Sequence, residues 1–539
     1  MVVPGTSWGS LYAAAGRAFG GGTWSLLWAV ALATFGCSDS GDTMNPGTAE
    51  LPTGPPPGPV MMLDPQEMQE MGPGPEPGQT AAFEPIPAAM EPEPEQSMPD
   101  PTVDPEPTVP GMDAMDPEDP MDPTAMGPDG QGEDPEVPMD EPDAPADDGP
   151  LNMAPVKFGP NVMVSERSGS QYEVTMEAGP DGLIFVGWMD GRNCGFGVST
   201  DGGETWGNYL YARTQASNRG AFAGDPAVAI DDAGNLYAGC QDYASGGLGT
   251  NYILLAHSKD KGETWSEFKR VNQSLDKPWL GATKDGVVLL SWLGRPGGVK
   301  RSTDYGETWE ETHSLGYINH GTTLSIAQET GLVHMAYNTR ETTVTYKRSD
   351  DFGETFSRAR DLSSQGRPCR SPCSPRSHPI VGSDTDPTGQ VVAVTWASTQ
   401  SHDDAEGDDD VWVIVSYDGG DTFSDPIRVN DNMNRSRQFQ SWAAVDKYGA
   451  VHVVWTDMRD NGRNATYYAR MTDIEMGFEP NVEVTDGTGR AASFLGDYKG
   501  IDIQGRDVVV TWADTRNGNG DIYFARAKEA AAAGGPLMP

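Results

Sequence analysis

Three carboxylates and a tyrosine in this chain have the types and positions needed for acid–base chemistry. Glu173, Asp225 and Asp497 each precede a short apolar strand in a separate repeat, and Tyr498 follows Asp497 directly. Two carboxyl groups beside a glycosidic bond are what its hydrolysis requires, and a tyrosine can replace the carboxylate nucleophile. We therefore treat Glu173, Asp225 and Tyr498 as candidate catalytic residues. The alternative is a polar ring around a water-filled channel.

The same alignment of repeats extends the set of positions that would face a common axis. In the remaining repeats the aligned residues are Lys277, Thr322, His378 and Gln440. Loops that converge on one axis often form ligand sites. We therefore expect these residues to surround the same central depression.

Three arginines recur at a second repeated position. They end the segments Trp188-Met-Asp-Gly-Arg192, Trp455-Thr-Asp-Met-Arg459 and Trp512-Ala-Asp-Thr-Arg516. A planar guanidinium group matches a carboxylate, so the three could bind a ligand carboxylate. Asp497, in the axial ring, is a further candidate for ligand binding. Alternatively, each arginine could pair with the aspartate of its own segment and stabilise its own loop.

One loop and four cysteines complete the candidate sites. The loop Ser401-His-Asp-Asp-Ala-Glu-Gly-Asp-Asp-Asp410 makes Asp408, Asp409 and Asp410 weak candidates for calcium, against a solvated acidic loop. No other cofactor is expected. An even number of cysteines in an exported domain permits two disulfides. Cys194 and Cys240 lie in neighbouring repeats, and Cys369 and Cys373 would close a small loop.

A recurring apolar strand must position all of these residues. It appears seven times, at residues 182–188, 234–240, 286–292, 331–337, 389–396, 449–455 and 507–512. Each copy follows one short strand, and further strands come after it. A period of this length built on short strands predicts radial repetition. We expect an all-β fold, a seven-bladed β-propeller of four-stranded antiparallel blades with strands A to D. Six blades is the alternative.

The last repeat lacks a fourth strand, and the start of the domain supplies a spare one. Residues 158–165 (Phe-Gly-Pro-Asn-Val-Met-Val-Ser) resemble residues 478–485 (Phe-Glu-Pro-Asn-Val-Glu-Val-Thr) of the sixth repeat. We predict that this N-terminal strand completes the last blade, which closes the ring and leaves no open sheet edge.

Five segments share the pattern S-x-D-x-G-x-T-[WF], at residues 199–206, 258–265, 302–309, 349–356 and 416–423. Their Ser and Asp side chains can bond backbone groups across a tight turn in which Gly tolerates a positive φ. This motif resembles the Asp-box of sialidases and related β-propellers, over residues 155–528. The resemblance implies that the boxes are structural C–D turns. The ligand face would then be the opposite one, formed by the B–C and D–A loops.

Two departures from sialidases bear on catalysis. Sialidases have a Phe/Tyr-Arg-Ile-Pro motif ahead of the first box, and nothing similar occurs between Val156 and Ser199. Sialidases also have six blades. We therefore expect a module that binds glycan or another surface ligand. Alternatives are a glycoside hydrolase of the exo-α-sialidase type and a scaffold for protein interaction.

The N-terminal third differs in composition from the rest. Residues 24–35 form a short apolar run that ends at Gly36-Cys37, which resembles the lipobox of a bacterial lipoprotein. Residues 38–150 hold 28 Asp or Glu and no Lys or Arg. We expect a signal peptide (1–36), a disordered acidic Pro-rich stalk (37–150), the propeller (151–528) and a disordered tail (529–539).

From these features we expect a monomeric protein of the bacterial cell envelope, held at the outer membrane or cell surface by a lipid on Cys37. An ordinary signal peptide with an incidental cysteine is the alternative. The formal charge of −44 and the absence of a basic patch argue against nucleic-acid binding.

Overall fold

The computed structural model describes residues 155–216, 220–244, 251–340, 343–364, 380–398, 409–487, 489 and 494–530. All of them lie in one compact unit, residues 130–539. Within them the chain forms seven four-stranded antiparallel sheets. The fold is therefore the predicted all-β, seven-bladed propeller, and the six-bladed alternative is wrong.

The strands follow the chain blade by blade. Blade one comprises β2 (Gln171–Ala178), β3 (Ile184–Asp190), β4 (Asn193–Ser199) and β5 (Gly207–Ala212). Blade two comprises β6 (Phe222–Ile230), β7 (Leu236–Tyr243), β8 (Asn251–Ser258) and β9 (Lys269–Ser274). Blade three comprises β10 (Asp276–Ala282), β11 (Val288–Leu293), β12 (Gly297–Ser302) and β13 (His313–Gly316). Blade four comprises β14 (Thr322–Ile326), β15 (Val333–Arg340), β16 (Thr343–Ser349) and β17 (Arg360–Ser364).

The remaining blades repeat the arrangement. Blade five comprises β18 (Gly382–Thr385), β19 (Val392–Ser398), β20 (Asp410–Ser416) and β21 (Ile427–Arg428). Blade six comprises β22 (Gln438–Val445), β23 (Val451–Asp457), β24 (Ala465–Met471) and β25 (Val482–Glu483). Blade seven comprises β26 (Gly500–Gln504), β27 (Asp507–Asp514), β28 (Asp521–Ala527) and the N-terminal β1 (Val162–Met163). Short 3₁₀ turns at Pro180–Gly182 and Lys284–Gly286 join strands A and B in blades one and three.

The first strand of every blade lies innermost and contacts the first strand of the next blade, and β26 contacts β2. The outermost position of blade seven is taken by β1, in which Val162 is opposite Phe524 and Met163 is opposite Tyr523. This is the closure predicted from the N-terminal strand. The described part of the chain has no helix of the length and apolar character needed to cross a membrane.

The five Asp-box turns are structural, as the sequence indicated. In the first box, the Gly203 N–H donates to Ser199 Oγ at 2.8 Å, and the Thr205 N–H donates to Asp201 Oδ1 at 2.9 Å. The other four boxes repeat both bonds. The Gly202 N–H also donates to the carbonyl of Gly182 at 2.8 Å, so the C–D and A–B turns share one face. We call this the Asp-box face and the opposite one the loop face.

The aromatic residue that ends each box packs between blades. Trp206 of blade one lies edge-on to Phe524 of blade seven, with ring centroids 5.4 Å apart. Trp265 of blade two lies 5.6 Å from Phe185 of blade one. The boxes therefore hold the blades to one another, and they leave the loop face free to carry other residues.

Candidate functional site

Four inner strands begin with the same irregularity. The pairing of strands A and B shifts register, as a β-bulge does, between Tyr172 and Thr175, Gly224 and Pro226, Asp276 and Trp279, and Phe439 and Trp442. Within these bulges stand Glu173, Asp225, Lys277 and Gln440, with φ of 60°, 46°, 48° and 55°. A left-handed backbone at a non-glycine residue costs about 1–3 kcal/mol. A bulge changes the direction in which a side chain points, and these four bulges lie at four positions of the ring predicted from the sequence.

The re-aimed side chains meet at the axis. Lys277 Nζ lies 2.6 Å from Asp497 Oδ2. It also lies 3.6 Å from Asp225 Oδ1 and 3.8 Å from Glu173 Oε1. We call these four residues and Asp276 the axial cluster. Blades one, two, three and seven thus contribute to one group of charges, which brings together all three carboxylates singled out from the sequence.

Two tyrosines bind the carboxylates of the cluster. The Tyr498 hydroxyl donates to Asp225 Oδ1 at 3.1 Å. The Tyr243 hydroxyl contacts both Asp225 and Asp276. Asp225 therefore has two phenolic partners besides Lys277, as suits a carboxylate that stays ionised under the protein surface.

The segment before β26 crosses close to blade one. The Glu173 N–H donates to the Leu495 carbonyl at 3.2 Å, and the Gln440 side-chain amide donates to the Gly496 carbonyl. Gly496 has φ +101°, and a Cβ on it would lie 2.3 Å from the Glu173 backbone nitrogen. Only glycine fits at this point, and its close approach brings Asp497 into the axial cluster and Tyr498 into contact with Asp225.

The surroundings shift the pKa values of the carboxyl groups in different directions. Burial and the nearby Asp225 charge raise the pKa of Glu173 well above its usual value. Burial alone would raise the pKa of Asp225 too, but the Lys277 charge and hydrogen bonds hold it below its usual value. Burial and Asp225 raise the pKa of Asp276 to about 7. Groups whose pKa values are pushed apart in this way can divide acid and base roles.

Partly exposed aromatic rings border the cluster. Phe222 stacks on Tyr243 with ring centroids 4.5 Å apart, and Tyr172 lies edge-on to Phe494 at 5.2 Å. Phe222, Tyr172 and Phe494 are half-buried. We call these three residues the aromatic rim. The site therefore offers apolar surfaces beside its charged centre.

Tyr498 lies beneath the cluster rather than open to a ligand. Its ring lies edge-on to Trp279 at 5.8 Å and to Trp442 at 6.1 Å, and only 3% of the residue is exposed. Burial and the nearby acidic charges raise the pKa of its hydroxyl well above the usual value. A phenol held in this way keeps its proton and donates a hydrogen bond. The predicted nucleophile would instead have to lose that proton.

Arg459 and Arg516 follow the alternative in which each arginine stabilises its own loop. Arg459 bonds its own Asp457 at 2.9 Å, Asp431 at 2.6 Å and Asn481 at 2.8 Å. Arg516 repeats this set with Asp514, Asp486 and Asn161, at 2.7, 2.5 and 2.8 Å. In both sets the aspartate follows the outer strand of one blade, and the asparagine precedes the outer strand of the next. The backbone N–H of each donates to the side-chain oxygen of the other, in Asp431 with Asn481 and in Asp486 with Asn161. We call each set an interblade bracket.

The brackets lie beside outer strands, so Arg459 and Arg516 do not join the axial cluster. Arg192 differs from both, because it donates to the Ala221 carbonyl while Asp190 pairs with Arg167 at 2.8 Å. The predicted set of three arginines on one anionic ligand therefore has no counterpart in these contacts.

The other predicted sites are placed as follows. Thr322 starts β14, and its hydroxyl lies 2.5 Å from that of Ser291. Asp409 pairs with Arg437 at 3.4 Å, and Asp410 pairs with Arg428 at 2.7 Å. In the described ranges no group of three or more acidic, His or Cys residues is arranged to hold a metal ion. Cys194 and Cys240 form a disulfide between blades one and two. Cys37, Cys369, Cys373, His378 and Asp408 lie outside the described residues.

Sequence reasoning missed Asp276, Tyr243, Trp279 and Trp442. Asp276 stands beside Lys277 in the same bulge, which was the signal available for it. Tyr243 ends β7, and nothing in its segment marks it as a partner of Asp225.

No protein-family model and no curated protein matches the chain. Among solved structures, a Hadza microbial sialidase aligns with 15% identity and a TM-score of 0.42, over 67% of this chain and 66% of that one, just under two thirds of its length. A variant of the NanB sialidase from Streptococcus pneumoniae aligns with 13% identity and a TM-score of 0.40, over 68% of this chain and 70% of that one. An ulvan lyase, described as a new polysaccharide lyase family, aligns with 13% identity and a TM-score of 0.42, over 70% and 95%. By its blade topology the described part of the chain is a seven-bladed β-propeller, and its five box turns resemble the Asp-boxes of sialidases.

Proposed function

We propose that this protein binds a glycan through the loop face, with the axial cluster and the aromatic rim as the contact surface. The observation that carries the proposal is the bulge repeated in four inner strands, each holding a polar non-glycine residue at positive φ. Strain of this kind concentrates at functional sites, where the surrounding structure enforces it. A purely structural ring could use glycine at these positions without that cost.

The chemistry of the surface suits a sugar. Carboxylates accept hydrogen bonds from hydroxyl groups, an ammonium group donates to them, and the Gln440 amide can do both. Asp225 and Lys277 keep 8% and 9% of their side-chain surface exposed, whereas Asp497 keeps none, so the first two are the members that a ligand could reach. Phe222 and Tyr172 offer flat apolar surfaces to the C–H face of a sugar ring. A few placed polar groups among aromatic walls are typical of small-ligand sites.

A second candidate function is glycoside hydrolysis, and the divergent pKa values of Glu173 and Asp225 favour it. Glu173, with its raised pKa, would serve as the general acid, and Asp225, with its lowered pKa, as the base. Binding without hydrolysis remains the first proposal, for two reasons. Tyr498 is buried and keeps its proton. Arg459 and Arg516 belong to interblade brackets, and Arg192 donates to a backbone carbonyl.

One panel separates the two functions. The full-length protein is tested for binding on a glycan array and for turnover on fluorogenic glycosides, sialosides included in both. We expect Asp225→Asn and Phe222→Ala to weaken glycan binding roughly tenfold or more. Asp181→Asn, an exposed acidic residue in an A–B turn on the Asp-box face, is the matched control and should leave binding unchanged.

The outcomes are distinct. Binding without turnover supports the first proposal. Turnover that falls about 100-fold or more in Glu173→Gln and Asp225→Asn supports hydrolysis. Absence of both binding and turnover overturns both and favours a protein-interaction scaffold.

We also propose that the chain is exported and held at a bacterial envelope by a lipid on Cys37, with residues 38–150 as its tether. The apolar run before Gly36-Cys37 and the uniformly acidic composition after it support this. Metabolic labelling with an alkyne-bearing fatty acid should mark the wild-type protein but not Cys37→Ser. Equal labelling of both proteins would contradict lipidation at this residue.

A further inference from the structure

A cavity lies on the axis, on the side opposite the proposed glycan site. It has a volume of about 400 Å³ and opens among the A–B turns of the Asp-box face, and all seven inner strands contribute to its lining. This volume is within the range of small-ligand pockets, about 300–1,000 Å³. The cavity is therefore large enough for a small organic molecule.

Two tryptophans separate this cavity from the axial cluster. Trp279 and Trp442 line it, and their ring centroids are 5.1 Å apart with an interplanar angle of 36°. Tyr498 contacts both rings, and its hydroxyl donates to Asp225 of the axial cluster. The indole pair thus forms an aromatic end wall, and the concavity is a pocket closed at one end.

Three carboxylates surround the axis between this wall and the mouth of the cavity. Glu177, Asp384 and Asp502 come from blades one, five and seven, and each stays half-buried because part of its surface faces the cavity. Asp502 Oδ2 accepts the Ala178 N–H at 2.7 Å, and Asp384 Oδ2 accepts the Val445 N–H at 2.8 Å. These bonds fix the carboxylates in place.

The side-chain charges that act on Glu177 and Asp384 come from other acidic residues. Burial raises the pKa of Glu177 and of Asp384, and these charges add to the effect. Of the described residues that line the cavity, only Lys447 is basic, and its ammonium group lies over the ring of Tyr448 at 4.7 Å. Burial also raises the pKa of Asp502 to about 6. The described lining is therefore acidic, and a cationic ligand would favour the ionised forms of its carboxyl groups.

We infer that this cavity binds a small organic ammonium ion, whose charge meets Glu177, Asp384 and Asp502 and whose alkyl groups contact Trp279 and Trp442. Tryptophan faces attract ammonium groups most strongly among aromatic residues. A bare metal ion fits less well, because no group of acidic, His or Cys residues among those described could coordinate one. An organic cation can also contact the apolar walls of the cavity.

Choline is the probe for a calorimetric titration of the full-length protein. Its comparison ligand is the uncharged carbon isostere, in which a tert-butyl group replaces the trimethylammonium group. We expect choline to bind roughly tenfold more tightly than the isostere, and Asp384→Asn and Asp502→Asn each to weaken choline binding by roughly tenfold. Asp181→Asn removes a charge from the same face outside the cavity and should leave choline affinity unchanged.

Thermal melting without ligand establishes that each variant is folded. If a variant does not fold, the comparison of choline with its isostere on the unaltered protein decides the question. Equal affinity for the two ligands, or binding of neither, would overturn the inference. The result is independent of glycan binding, because no member of the axial cluster or of the aromatic rim lines this cavity.

Discussion

The Tyr498 hydroxyl donates to Asp225 Oδ1 at 3.1 Å, a bond that joins blade seven to blade two across 273 positions of sequence. In Tyr498→Phe the buried carboxylate of Asp225 loses one hydrogen-bond donor but keeps its contacts with Tyr243 and Lys277. We expect the free energy of unfolding to fall by about 1–3 kcal/mol, measured by urea denaturation. Tyr467→Phe is the control, because its hydroxyl bonds the exposed Asp460, and it should cost less than about 0.5 kcal/mol. Equal effects would argue against a special role for the buried bond.

Lys277 is the only basic member of the axial cluster, so its removal leaves buried carboxylates without their counter-charge. We expect Lys277→Met to lose about 3–5 kcal/mol of stability at neutral pH. The deficit should shrink towards pH 4. In the variant the buried carboxylates take up protons as pH falls from 7, which removes their unpaired charge. In the wild type the low-pKa Asp225 keeps its contribution down to about pH 4 and loses it only below that. Urea denaturation at both pH values tests this, and a deficit that does not change with pH would contradict it.

Lys499 is a buried amine beside the cluster, 3% exposed, with its Nζ 2.8 Å from Thr466 Oγ1. Burial lowers the pKa of this amine to about 7, against the opposing effect of Asp514. The unfolded chain therefore binds the extra proton between about pH 7 and 10, and the wild type gains stability as pH rises through that range. We expect Lys499→Met to be more stable than the wild type near pH 7. The advantage should narrow towards pH 10, and a difference that stays constant would refute the shift.

Ring closure depends on a strand of two residues, Val162–Met163, and on the bracket of Asn161 with Asp486 and Arg516. Deletion of residues 151–168 exposes the edge of β28 and should abolish cooperative thermal unfolding. Asn161→Ala keeps the strand and removes only the bracket, so it should retain cooperativity and lose about 1–3 kcal/mol. A deletion variant with the wild-type melting temperature would show that β1 does not close the ring.

The blade count, the C–D location of the boxes and the closing strand were predictable because each depends on a local pattern repeated along the chain. The alignment of repeats also placed Glu173, Asp225, Lys277 and Gln440 at equivalent positions, and the structure has a bulge at each. Their mutual contacts were not predictable. Lys277 meets Asp497 across 220 positions, and no repeat pattern encodes which of seven convergent residues will pair.

The arginines illustrate the same limit. The segments ending in Arg459 and Arg516 permitted either a ligand site or an internal ion pair. The choice between them depends on Asn481 and Asn161, which belong to a different strand of the same blade. The asparagines were visible in the two resembling segments of residues 158–165 and 478–485, but their role became evident only from the geometry of the brackets.

The closing strand has a mechanical consequence. The N-terminal segment enters the propeller through β1, so a pull applied there, while the loop face is held by a ligand, loads the pairing of Val162 and Met163 with β28 before any other strand. Ahead of that pairing lie the contact of Phe158 with Tyr468, the bond of the Gly159 N–H to the Arg526 carbonyl at 2.9 Å and the Asn161 bracket, which share the load. Rupture of this outermost pairing would open the ring at blade seven without breaking a bond of any inner strand.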